Sequence, residues 1–269
     1  MHSTTALIKI SPILDHQQQA ETPYDQSPGT LGEFLVAYSS MTIGNTNSIK
    51  RWSHNSRFTK ALSVMPPAEN DRILDFGTGD GHLVGLLKEQ CPSVSVCGFD
   101  PHLDAAANEV KQRFPDVRFV RERDSIDNGP FDKVYCLETL EHFVGPPLMD
   151  IVTFLTQKTA PNGRILVSVP IEIGLSSLVK NLFRMAAGQR HRGTTWKIVW
   201  DSFIGNTAAI ARPPSETGWI SSHLGFDYRV IPVLFAKCGF EVESLGYSPI
   251  PLPTHAINSQ VFFRFKRKA

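Results

Sequence analysis

Cysteine is scarce in this chain. Of its 269 residues only Cys91, Cys97, Cys136 and Cys238 are cysteines. They form no C-x-x-C pair and no Cys/His spacing that organises zinc, so no metal site is expected. Two lie in apolar runs, where a reduced, packed thiol is the plain expectation, and this points to a reducing, cytoplasmic compartment. Long apolar runs are missing as well. The longest stretch without formal charge, Ser244 to Phe263, is broken by Pro249, Pro251 and Pro253, so no membrane-spanning helix is expected. The opening MHSTTALIKIS is too short an apolar run for a signal peptide. With 41% hydrophobic and 20% charged residues, disordered, collagen-like and coiled-coil classes are excluded and one large α/β domain is expected.

Net charge is nearly absent too, at +1 from 27 Lys+Arg and 26 Asp+Glu, which argues against a broadly basic nucleic-acid binder. The balance is uneven along the chain. Glu69 to Asp150 carries 16 acidic and 8 basic residues, or −8, leaving +9 elsewhere. Phe34 to Pro67 holds Lys50, Arg51, Arg57 and Lys60 with no acid, and Ile173 to Trp200 holds Lys180, Arg184, Arg190, Arg192 and Lys197 with none.

Residues 1–29 are polar and aperiodic and are expected to be a flexible lead-in. Leu31, Phe34, Leu35 and Tyr38 form one helical stripe, and Ile49, Trp52, Phe58 and Leu62 a second. Residues 30–68 are therefore expected to be N-terminal helices. From Arg72 short apolar runs alternate with helical segments. The pattern predicts strand Arg72 to Phe76, helix Gly81 to Glu89, strand Val94 to Phe99, helix Leu103 to Phe114 and strand Val117 to Val120. Strand Asp132 to Leu137, a helix through Leu148, Ile151, Val152 and Leu155, and strand Arg164 to Val169 follow. Such repetition implies right-handed crossovers and a parallel sheet covered on both faces, with ligands beyond the carboxyl ends of its strands. Residues 171–225 interrupt the alternation. Asp227 is expected to cap a helix running to about Lys237, kinked or shortened by Pro232, before last strands at Phe240 to Leu245 and Ser259 to Lys266.

The most informative stretch is Ile73-Leu74-Asp75-Phe76-Gly77-Thr78-Gly79-Asp80-Gly81, an apolar strand opening into a glycine turn and a helix. Glycines admit a ligand close to the backbone, and a helix N-terminus offers free N–H groups. The dinucleotide fingerprint G-x-G-x-x-G fails here, because His82 replaces the third glycine and Asp75 puts a carboxylate where a pyrophosphate needs positive potential. A carboxylate suits a cationic ligand instead, and S-adenosylmethionine carries a sulfonium and an ammonium. Asp100, 19 positions after Gly81 at the end of the next strand, stands where a carboxylate accepts from ribose hydroxyls; its plainer role is a helix cap.

Residues 70–170 resemble a class I S-adenosylmethionine-dependent methyltransferase. The matching segments are DFGTGDG at Asp75 to Gly81, GFDP at Gly98 to Pro101, RDS at Arg123 to Ser125, FDKVYCLETLEHF at Phe131 to Phe143 and PNGRILVSVP at Pro161 to Pro170. The Leu-Glu-His run and the S-V-P ending are similar to ubiquinone-biosynthesis O-methyltransferases and their relatives acting on lipids, glycans and natural products. The resemblance implies a Rossmann-like, doubly wound α/β sheet of seven strands, the last antiparallel, in one methyltransferase domain over 30–269, with 171–225 as a helical lid. It implies that Asp75, Gly77, Thr78, Gly79 and Gly81 surround the methionine end of S-adenosylmethionine. It places Asp100 and Pro101 at the ribose, Asp124 and Ser125 at the adenine, and Leu137 and Glu138 at the methyl-donor edge; the product is S-adenosylhomocysteine.

Methyl transfer from a sulfonium is an in-line displacement, driven mostly by alignment and exclusion of water. A base is needed only for a protonated acceptor. His142 and His223 are the candidates, with Glu138 and Glu141 behind them; local packing is the alternative role for both histidines. The Asn/Asp-Pro-Pro-aromatic motif of base-amine methyltransferases is absent after the fourth strand, so nucleic acid is disfavoured. Arg51, Arg57, Arg184, Arg190 and Arg192 either form solvated helix faces or draw in an anionic acceptor or membrane surface. Trp52, Phe183, Trp196 and Trp200 lie among them, which suits a partly apolar acceptor, and the resemblance implies a small-molecule or lipid- or glycan-linked acceptor methylated on oxygen. A non-catalytic protein that keeps the cofactor fold is the rival reading.

Overall fold

The structure is a computed structural model describing residues 48–127, 129–186, 195–215, 218–250, 254–256 and 258–269, with backbone alone over 48–55 and 183–186. The lead-in over 1–29 and the helix through Leu31 lie outside the described residues. The second N-terminal helix is α1, Ser48–Val64.

The alternation from Arg72 is realised as β1 (Arg72–Phe76), α2 (His82–Gln90), β2 (Ser95–Phe99), α3 (Ala107–Arg113) and β3 (Arg118–Val120). Then come β4 (Phe131–Leu137), α4 (Gly145–Lys158) and β5 (Thr159–Pro170). Helices α5 (Gly174–Ala186) and α6 (Trp196–Phe203) fill the insertion. Finally α7 (Val230–Lys237) precedes β6 (Phe240–Ser248) and β7 (Gln260–Arg267). One seven-stranded sheet runs in the order β3-β2-β1-β4-β5-β7-β6. β7 is antiparallel to both neighbours, and the pairs from β3 to β5 are parallel. The order reverses between β1 and β4, so the cleft at their carboxyl ends is the switch point where such sheets bind ligands.

Side chains alternate between two cores. Leu74, Phe76, Val134, Cys136, Ile165 and Val167 face the helices bearing Ile151, Leu155, Ile231 and Phe235. Ile73, Val96, Tyr135 and Leu166 face Ala61 of α1, Met65 just after it, and Leu83, Val84 and Leu87 of α2. The cysteines are reduced thiols, with Cys97 and Cys136 buried.

Several element boundaries differ from expectation. α3 begins four residues late because Asp104 makes a turn instead: its backbone carbonyl accepts from Ala107 N and its carboxylate from Ala106 N. β5 starts at Thr159, bridging Phe131 ahead of a register shift before the Lys133–Arg164 pair. Asp227 does not cap α7. It binds the backbone N–H and guanidinium of Arg229, and the helix starts at Val230. Pro232 then falls in the first turn, where its missing N–H costs nothing and no kink is required. Among the described residues no helix is long and apolar enough to cross a membrane.

Candidate functional site at the carboxyl ends of the parallel strands

The glycine turn hangs from the sheet by two bonds, Gly77 N and Thr78 N both donating to Phe99 O at 2.8 and 3.0 Å. Gly77 has φ +85°, and a Cβ there would lie 2.2 Å from Thr139 Oγ1 of the segment after β4. No other residue fits. Gly79 has φ +54° with nothing within 4 Å of a built Cβ, so its face is open for a ligand. Gly81 leads into α2, and His82, in the place of the third glycine, packs edge-on against Phe58 at 4.7 Å, tying α1 to the loop.

Asp75 stands at the root of this loop, 3% exposed. Burial pushes its carboxyl up to about 7, Thr78 opposing and Asp100 and Asp80 adding to the rise. Its Oδ2 is buried without a hydrogen-bond partner among the described residues. A buried acceptor in that state is costly unless a donor or a cation meets it. Asp100, past the end of β2, accepts from Gly79 N with Oδ2 at 3.0 Å and from His102 N with Oδ1 at 2.8 Å. Burial raises its pKa and those two N–H groups lower it. It therefore braces the glycine loop rather than capping α3, and each oxygen keeps lone pairs for a further donor. Pro101 is exposed beside it, and Asp124 and Ser125 are exposed on the short 3-10 turn after β3. A buried carboxylate with one unpartnered oxygen, a second carboxylate and an open glycine face together fit the cationic, ribose-bearing cofactor that the sequence suggests.

On the other side of the switch point, Leu137 ends β4 and Glu138 adopts φ +51°, rare outside glycine. Glu138 N donates to Ser168 O at 2.9 Å, and Ser168 Oγ donates to Glu138 Oε1 at 3.1 Å. This holds the strained residue at the ligand end of the sheet, where such strain concentrates. Leu140–His142 then form a 3-10 turn. His142 and His223, 81 positions apart, come together with ring centroids 5.0 Å apart. His142 also stacks on Trp219 at 3.9 Å, and its Nδ1 lies 2.7 Å from Ile220 O. A carbonyl only accepts, so Nδ1 carries the proton and Nε2 presents a lone pair. Burial holds the ring down to about 4, against the raising effect of that bond.

Behind both rings is Glu141, fully buried, with Oε1 3.9 Å from each Nε2. Burial raises its pKa well above the ordinary carboxylate value, Glu138 adding and its own backbone N–H, Arg57 and Arg212 opposing. Arg212 Nη2 donates to Glu141 O at 2.5 Å and Ser222 O at 3.2 Å, clamping the insertion onto the turn after β4. Of the predicted basic rim, Arg57 alone has a described side chain, and it faces this cluster. The side chains of Arg51 and Arg184, and all of Arg190 and Arg192, lie outside the described residues. Lys180 binds Ile171 O and Glu172, and Lys197 pairs with Asp201, so two further basic residues of that stretch are neutralised locally. Trp219, Ile220, Arg212 and Thr139 escaped the sequence reading because nothing in their spacing links them to Glu141 or Gly77.

Residues 49–203, more than half of the chain, match the family described as Methyltransferase domain. The protein-L-isoaspartate O-methyltransferase of Myxococcus xanthus (strain DK1622) is 30% identical over 162 residues, covering 58% of this chain and 71% of that protein. The fold is similar to magnesium protoporphyrin IX methyltransferase of Synechocystis PCC 6803 with bound S-adenosylhomocysteine, with TM-score 0.57, 13% identity and 89% and 95% of the two chains covered. It is also similar to 1,6-didemethyltoxoflavin-N1-methyltransferase of Burkholderia thailandensis, with TM-score 0.52, 14% identity and 94% and 99% covered.

Proposed function

Because the chain belongs to the methyltransferase domain family and is an S-adenosylmethionine-dependent methyltransferase, we propose that it methylates an oxygen of a lipid-linked or partly apolar small acceptor. The cofactor supplies a methyl group already activated on a sulfonium. In this reading Asp75 and the open face of Gly79 hold its charged end, Asp100 the ribose, and Asp124 and Ser125 the adenine, while Leu137 and Glu138 border the donor. His142, His223 and Glu141 form the polar wall against which the acceptor hydroxyl is aligned.

The observation that carries the acceptor class is the outer surface of the insertion. Leu175, Val179 and Leu182 on α5, and Trp196, Trp200 and Ile204 on and just after α6, are 43 to 65% exposed. They recur at helical spacing, so two packed helices present apolar stripes outward. The segment joining them contains Arg190 and Arg192 and no acid. Apolar stripes with tryptophans and adjoining basic residues suit an anionic lipid surface as the source of the acceptor. The decisive experiment incubates the full chain with radiolabelled methyl donor and separate lipid and aqueous extracts. Label in an organic-soluble product with a new O-methyl resonance is expected. Label confined to protein, to nucleic acid or to N-methyl products would overturn the reading.

A further inference from the structure

We infer that Glu141, His142 and His223 form a binding site for one divalent transition-metal ion, zinc or a first-row neighbour, with an open coordination position toward the acceptor. One ligand atom from each residue lies within 4.8 Å of the other two. An ion about 2.1 Å from its ligands spans pairs up to about 4.2 Å apart, and the two 3.9 Å separations from Glu141 Oε1 fall within that span. The remaining separation, between the two histidines, is within 4.8 Å, so the ion requires the rings to draw closer by at most about 0.6 Å.

The second observation is Glu141 itself. It is 0% exposed, and neither carboxylate oxygen meets a hydrogen-bond partner from another described residue. Native structures rarely leave a buried carboxylate so, and a cation between it and two imidazoles satisfies it. The surroundings are arranged as they are around metal-ligating histidines elsewhere. The Nδ1–H of His142 donates to Ile220 O at 2.7 Å, which fixes the tautomer and aims Nε2 at the cluster. Arg212 ties the Glu141 backbone to that of Ser222, the neighbour of His223. The positive charges of Arg57 and Arg212 act on Glu141 and weigh against a cation, and the carboxylates of Glu138 and Glu141 offset them. Two imidazoles and one carboxylate favour zinc, cobalt, iron or nickel over magnesium or calcium, which prefer all-oxygen shells. Three protein ligands leave a position open.

That the open position receives an acceptor oxygen rests on the proposed function; the metal site does not. The histidines then serve as ligands, and an acceptor hydroxyl bound there, its pKa lowered by the ion, releases its proton to solvent before its oxygen takes the methyl group.

The test uses the full chain stripped with chelator and dialysed. Titration with Zn2+ alone is expected to show one ion per chain, and Co2+ alone to give visible absorption bands of a nitrogen-ligated ion. His223→Ala and Glu141→Gln should each weaken uptake at least about 100-fold, more than the loss of an outer-shell partner. Affinity for S-adenosylmethionine, measured on the same samples, should stay within twofold and reports on the cofactor reading separately. Absence of one-to-one uptake by the unaltered chain, or uptake undiminished in both variants, overturns the site.

Discussion

Asp75 has the most to lose from its position. Its ordinary value of 3.8 rises to about 7 on folding, chiefly through burial. Below pH about 4 the carboxyl is protonated in both folded and unfolded chains. Between about 4 and 7 the folded chain retains a proton that the unfolded chain releases, so stability falls as pH rises and stays lower above 7. Three units correspond to a cost on the order of 4 kcal/mol at neutral pH. Asp75→Asn removes that cost and the negative charge together. Urea unfolding of the ligand-free protein at pH 8 should show the variant more stable than the parent, with the difference vanishing near pH 4. Cofactor affinity should fall in the same variant; equal stabilities at pH 8 would mean that the carboxylate is solvated. Burial raises the pKa of Asp100 as well, but its oxygens already accept from Gly79 and His102, which oppose the rise. Asp100→Ala should weaken S-adenosylmethionine by about 1–3 kcal/mol in calorimetry, because a ribose partner and the loop brace are lost together. Unchanged affinity would remove Asp100 from the site.

The elements that were legible in the sequence are those whose signal is local. β1, β2, β4 and α4 carry apolar runs or a single helical stripe, and each lies within a residue or two of its expected place. Where a side chain competed for the backbone the reading failed. Asp104 turned the first part of α3 into a loop, and Asp227 chose Arg229 over the start of α7. The glycine loop was legible because strand, turn and helix are contiguous. Glu141, His142 and His223 were each singled out in the sequence, but their meeting was not legible, since only folding brings residue 223 back to 142. The insertion helices show a third case: their amphipathy is in the sequence, but which stripe faces outward is decided by packing. Trp196 and Trp200 are 65% and 60% exposed, so replacing both with serine should cost little stability. If α5 and α6 dock on lipid, the same double variant should lower binding to vesicles containing anionic phospholipid by roughly tenfold or more, from the lost burial of two large apolar side chains. Equal sedimentation of both proteins with such vesicles would sink the lipid surface as the acceptor's source.

At the scale of the whole molecule, a net charge of +1 is the sum of an acidic segment at −8 and flanks at +9. The fold gives this division a geometry. The acidic segment contains β1 to β4 and every strand end assigned to the cofactor, and its two central carboxylates, Asp75 and Asp100, are largely shielded from solvent. Arg57, on the flanking helix α1, acts on Glu141 in the turn after β4, whereas Lys180 and Lys197 pair with Glu172 and Asp201. Salt should therefore act on the two halves unequally. The screening length shrinks from about 10 Å at 0.1 M to about 3 Å at 1 M, and exposed charges feel this far more than buried ones. Raising NaCl through that range should lower kcat/KM for an anionic acceptor several-fold through KM, while the dissociation constant of S-adenosylmethionine moves little. A matching loss on both sides would mean that Asp75 and Asp100 meet the cofactor through open solvent. A salt-independent kcat/KM would mean that the basic flanks do not reach the acceptor, leaving the apolar stripes of α5 and α6 as the remaining guide to what the enzyme methylates.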